Sequence, residues 1–75
     1  MSEEQRGLRQ HRLARGYTIR DLAARAGVST QTIVSIEKGN MARIQSYRKI
    51  AEALDVDLMS IREYRRLVEQ AGEGK

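Results

Sequence analysis

The sequence predicts a small all-α domain of five helices. Apolar residues recur at helical spacing through most of the chain, and Ser or Thr residues stand before those stretches with glycines after them. Its 75 residues make one domain at most. The domain is expected over residues 1–71, with residues 72–75 as a fraying tail.

Ser2 and Gln5 have the spacing of a capping box, so a first helix is expected from about Glu3 to Arg15. Leu8 and Leu13 are its large apolar residues, with His11 between them. Gly16 ends it, because glycine takes the left-handed conformation at low cost. Thr18 caps a second helix over 19–26, where Ile19, Leu22, Ala23 and Ala26 fall on one face. Gly27 stops that helix, and a tight turn through Val28 leads to Ser29.

Ser29 caps a third helix over 30–38, anchored by Ile33 and Ile36 and stopped by Gly39 and Asn40. The β-branched residues Thr30, Thr32, Ile33, Val34 and Ile36 would suit a strand, but an apolar spacing of three and bracketing caps favour a helix. After a loop over 39–43, Ile44, Tyr47, Ile50, Ala51 and Leu54 form the stripe of a fourth helix. A short link over 55–57 leads to a fifth, over 58–71, with Ile61, Tyr64, Leu67, Val68 and Ala71 at helical spacing.

Composition narrows the function. There are 14 basic and 10 acidic residues, a formal charge of +4. Most of the basic residues are Arg, whose planar fork suits phosphate. There is no cysteine and one histidine, so no disulfide, thiolate metal site or nucleophile–base pair offers itself. Neither an enzyme, a metal site nor a cofactor or small-molecule ligand is expected. No apolar run approaches the ~18 residues of a membrane span. The acidic, polar start does not read as a signal peptide, and a cytoplasmic protein is expected.

The informative feature is the pair of short helices joined at Gly27. Ala23 is small where the helices cross, Gly27 allows the sharp turn, and Val28 plugs the angle. Ile33 and Ile36 anchor the second of the pair and leave its other face outward, where a DNA major groove can accept it.

These residues resemble the lambda-repressor-like class of helix-turn-helix regulators, found in bacteria and phages. The resemblance runs from about Leu8 to Arg62. It rests on Leu8-Arg9, Arg12, Gly16, Leu22-Ala23, Gly27-Val28-Ser29, Ile33, Ile36-Glu37-Lys38-Gly39 and Ile50-Ala51-Glu52-Ala53-Leu54. It implies sequence-specific binding to double-stranded DNA by a transcriptional regulator, a repressor, with the third helix reading bases. Thr30, Gln31, Val34 and Ser35 then face base edges. Gln can pair with adenine, and a Val methyl can pack on a thymine methyl. Thr18, Arg20, Ser29, Thr32, Lys38, Asn40 and Arg43 are the expected backbone contacts. The resemblance also implies a structural pair between Arg12 and Glu37.

Three positions depart from the class. Ile19 stands where Gln commonly touches a phosphate, the loop before the fourth helix lacks proline, and His11 replaces an inward leucine. The alternative to a regulator is an antitoxin or other protein-interaction module on the same fold. The polar outer face of the third helix favours DNA. Beyond the shared module, Tyr64, Leu67, Val68 and Ala71 continue an apolar stripe, which points to a homodimer interface.

Overall fold

Gly7 opens the part of the chain that the structure, a computed structural model, describes: residues 7–73, with side-chain surroundings through residue 70. The Ser2–Gln5 capping box lies outside it. Helix α1 spans Leu8–Ala14, starting later than the expected Glu3. The Gly7 amide donates to the side chain of Gln10, 3.3 Å away. A second hydrogen bond at this end joins the Leu8 amide to Glu63, far along the chain.

Helix α2, Ile19–Ala26, begins with a reciprocal cap. The hydroxyl of Thr18 accepts from the amide of Asp21, and the carboxylate of Asp21 accepts from the amide of Thr18, each at 3.0 Å. It ends at Gly27, where φ is 73° and ψ is 32°. Open space surrounds the position a Cβ would take, so the backbone angle alone requires glycine here. Helix α3, Thr30–Glu37, starts at the Ser29 hydroxyl, which accepts from the amide of Thr32 at 3.1 Å. The sequence's β-branched residues there are helical because the cap and the core override a weak local propensity.

Helix α4 spans Ile44–Leu54 and ends at Asp55, which takes a left-handed conformation with φ 58° and ψ 47°. The expected single fifth helix is divided. Leu58–Ser60 forms a 3₁₀ turn, Ile61 is extended, and helix α5 runs over Arg62–Glu73. The extended Ile61 sinks its side chain fully into the core. Helix α5 continues past Ala71 into the segment expected to fray. No strand occurs among the described residues.

The core is formed by Leu8, Leu22, Ala23, Ala26, Ile33, Ile36, Tyr47, Ile50, Ala51, Leu54 and Ile61. Helix α2 lies at its centre, packed on both α3 and α4. Two expected apolar positions face solvent instead: Leu13 is 54 % exposed, and Ile44, at the first turn of α4, is equally so at 54 %. The inward face of α1 is Leu8, His11 and Arg12, one helical stripe, so Arg12 is buried where Leu13 is not. Burying an Arg is tolerable only with its hydrogen bonds met, and they are.

Candidate nucleic-acid interface

Helices α2 and α3 make a rigid corner. Val28 is half-buried against the core at the corner, and the turn at Gly27 closes with hydrogen bonds from the amides of Gly27 and Val28 to the carbonyl of Ala23, at 2.9 and 3.0 Å. Ile33 and Ile36 are fully buried, which fixes the rotation of α3 about its own axis. The opposite face of α3 therefore carries Gln31 and Lys38, both exposed, with Thr30 exposed at its start. Val34 and Ser35 lie on either flank and are half-buried.

The remaining expected backbone contacts surround this face or lie at its ends. Thr18, Arg20, Ser29, Lys38, Asn40 and Arg43 are exposed, and Thr32 is half-buried. The hydroxyl of Thr32 is hydrogen-bonded to that of Ser29, 2.9 Å away, so it is tied into the cap. The caps also sort the backbone amides. Thr18, Asp21 and Thr32 spend theirs on cap hydrogen bonds. The first amides of each helix, at Ile19 and Arg20 and at Thr30 and Gln31, have no carbonyl one turn back to bond. They point out of the helix starts, where the dipole favours an anion.

Thr18 also shapes the charge here. Its backbone N–H and then its hydroxyl hold the Asp21 carboxyl below the usual aspartate value, with Arg25 and Arg20 adding to the effect. Arg25 in turn lies over the Tyr17 ring, 4.5 Å from its centre. Arg20 remains exposed beside the α2 start.

A buried ion pair holds α3 at its far end. Arg12 Nε lies 2.7 Å from Glu37 Oε2, and Arg12 Nη2 lies 3.3 Å from Glu37 Oε1. This is the parallel two-bond geometry that only Arg offers. Arg12 Nη1 donates to the carbonyl of Tyr17 at 2.9 Å, so one guanidinium ties α1 to both the α1–α2 loop and α3.

Three residues take roles that the sequence does not assign to them. Arg9 lies one turn before Arg12 and lines the same groove as Ile19, Val34 and Lys38. The three-residue step from Arg9 to Arg12 is the signal that could have found it. His11 places Nε2 2.9 Å from the Ser60 carbonyl, which accepts from it, so this histidine joins α1 to the 3₁₀ turn. Glu63 binds the start of α1. Neither of the last two has a local signal, because both partners are distant in sequence. No group of three His, Cys, Asp or Glu side chains comes together as a metal site among the described residues.

The corner, its caps and the outward polar face are carried by one continuous stretch, and residues 8–61 match the helix-turn-helix family. The chain belongs to the lambda-repressor-like helix-turn-helix family. No curated protein and no solved structure matches it. As a member of this family it is a DNA-binding helix-turn-helix regulator. The helix-turn-helix match ends at Ile61, so α5 lies outside it. Tyr64 and Leu67 on α5 are half-buried against the chain's own core, and the rings of Tyr64 and Tyr47 meet edge-on with centroids 5.6 Å apart. The chain's own core therefore covers part of the apolar stripe formed by Tyr64 and Leu67. Val68 remains 39 % exposed, and the surroundings of Ala71 fall outside the described side chains. No helix among the described residues is long and apolar enough to cross a membrane.

Proposed function

We propose that this regulator seats α3 in the major groove of a specific double-stranded DNA site and represses transcription from it. The observation that carries the reading is the outward face of α3, polar and presented rigidly by Ile33 and Ile36, with Arg20, Lys38 and Arg43 exposed around it. Gln31 pairs with adenine through N6 and N7, Thr30 and Ser35 reach neighbouring base edges, and Val34 packs on a thymine methyl. Thr18, Arg20, Ser29, Thr32, Lys38, Asn40 and Arg43 position the protein on phosphates and carry no sequence information. Its site of action is the cytoplasm of a bacterium or the host of a phage.

Selection of bound sequences from random double-stranded DNA tests the reading. A consensus should emerge, its affinity falling by orders of magnitude from low to moderate salt as counterions return. The same consensus placed over a promoter should lower reporter output. Failure to enrich any sequence overturns DNA reading by α3, and raised output overturns repression.

We further propose a homodimer seam on α5 that includes Tyr64, Leu67, Val68 and Ala71, of which Val68 is the exposed large apolar side chain among the described residues. With Tyr64 and Leu67 half-spent on the core, the seam is small and completes itself on DNA. Two copies of α3 then sit about one helical turn apart, roughly 34 Å, on a palindromic site. Sedimentation with and without the selected DNA decides it: a complex with one copy per site overturns the seam.

A further inference from the structure

Ile19 and Val34 line one open groove together with Arg9, Arg12, Glu37 and Lys38. Ile19 is the first residue of α2, directly behind the Thr18 cap. Val34 lies on the flank of α3 that carries Glu37, turned toward the same groove. Both side chains are half-buried, so each offers part of its aliphatic surface to solvent. Arg12 and Glu37 are spent on each other and on the Tyr17 carbonyl. What the groove presents outward is two aliphatic walls, with Arg9 and Lys38 exposed at its rim.

Neither wall can donate or accept a hydrogen bond, so the groove has no use for a base edge of ordinary polarity. The major groove of DNA displays one aliphatic group: the methyl on C5 of a pyrimidine, present on thymine and on 5-methylcytosine. Phosphates lie on either side of any base step, and cations at the groove rim match that arrangement.

We infer that Ile19 and Val34 together form a receptor for a pyrimidine C5-methyl group, with Arg9 and Lys38 on the flanking phosphates. This rests on the major-groove reading proposed above. It makes Ile19 a specificity-determining residue and Arg9 a phosphate contact. Specificity at that base pair depends on shape and methylation, without a hydrogen bond from α3.

The experiment uses the full chain and the DNA sequence it selects. Each thymine in the site is replaced singly by deoxyuridine, which removes only the methyl. At one position affinity should fall about four-fold, the value of one buried methyl group. At that position a 5-methylcytosine·guanine pair should bind better than cytosine·guanine by a similar factor. Thymine alone responding would make thymine the only ligand, whereas both responding would make methylation a signal the protein can read. The Ile19→Ala/Val34→Ala variant should lose the deoxyuridine effect at that position, and Arg9→Ala should weaken binding to all sequences with a salt slope shallower by about one. The wild-type measurements stand even if the double variant folds poorly. Selected DNA that binds well yet tolerates deoxyuridine everywhere overturns the methyl receptor and leaves the major-groove reading intact. So does a deoxyuridine effect that persists undiminished in a folded double variant. Absence of any selected sequence overturns both.

Discussion

Glu63 on α5 accepts a hydrogen bond from the backbone amide of Leu8, the first residue of α1, at 2.9 Å. A carboxylate from the last helix therefore caps the first, where an acidic group also meets the positive end of the helix dipole. The Glu63 side chain also lies beside the place a Cβ on Gly7 would occupy, as does the guanidinium of Arg62. This contact joins α5, which lies outside the helix-turn-helix match, to α1, beside the packing of Tyr64 and Leu67 on the core. Glu63→Ala should destabilise the fold by about 1 kcal/mol in urea titrations, the usual cost of a lost N-cap. Glu63→Gln should recover part of that, since an amide oxygen still accepts. Equal stability of wild type and Glu63→Ala would remove this role.

Arg12 should matter far more to stability than its neighbour Arg9. Arg12 is 7 % exposed, and its loss strands Glu37, whose side chain is 11 % exposed, as a largely buried, unpaired charge. Breaking such a pair from one side costs about 3–5 kcal/mol. Arg9 is exposed, and Arg9→Ala should stay within about 0.5 kcal/mol. Arg12→Lys should also fail to restore stability, because an ammonium cannot span two carboxylate oxygens and the Tyr17 carbonyl in the same plane. Matching melting temperatures for Arg12→Ala and Arg9→Ala would refute the assignment.

Gln31 and Arg43 should separate specificity from affinity. Gln31→Ala is expected to relax discrimination at one base pair, costing about 1–3 kcal/mol on the selected sequence. Arg43→Ala should weaken all sequences alike and lower the salt slope. A panel of single-base variants of the selected site reads both. Uniform loss with Gln31→Ala would mean that α3 lies differently in the groove.

The α2 cap should carry an acid-side pH dependence. The Thr18 amide and hydroxyl hold the Asp21 carboxyl below its ordinary 3.8. A carboxylate whose folded value is depressed contributes its stability above the unfolded value and loses it as pH falls through the folded one. Stability contributed by Asp21 should therefore be complete at neutral pH and fade below about pH 4. Asp21→Asn should flatten that part of the stability–pH curve when denaturation midpoints are compared at steps from pH 6 to pH 2.5. An unchanged slope would show that the cap does not titrate with folding.

Tyr47 illustrates how far local patterning reaches. Its place on the apolar stripe of α4 is visible in the spacing of Ile50, Ala51 and Leu54, and it is buried as that spacing implies. Its edge-on contact with Tyr64 and the rise of its hydroxyl's pKa, caused first by burial and opposed by the backbone of Ala42, come from elements the spacing does not connect.

What the sequence by itself determined is the corner of α2 and α3. Thr18 and Ser29 cap and Gly27 turns, each acting on backbone groups within about one turn, and Ile33 and Ile36 mark the inward face by their spacing, so the information lies side by side in the chain. The same locality made the outward face of α3 legible once its buried residues were known. Nothing local to α1 marks Arg12 as inward and Leu13 as solvent-facing: the pairing with Glu37 is implied only by the resemblance, and that partner arrives on another helix. Tertiary structure alone decided the break at Ile61, whose side chain enters the core only if the backbone leaves the helix there. It also decided the links from His11 to Ser60 and from Glu63 to Leu8. A hydrogen bond between residues half a domain apart leaves no periodicity in either segment, and only the packed chain brings its two ends within reach.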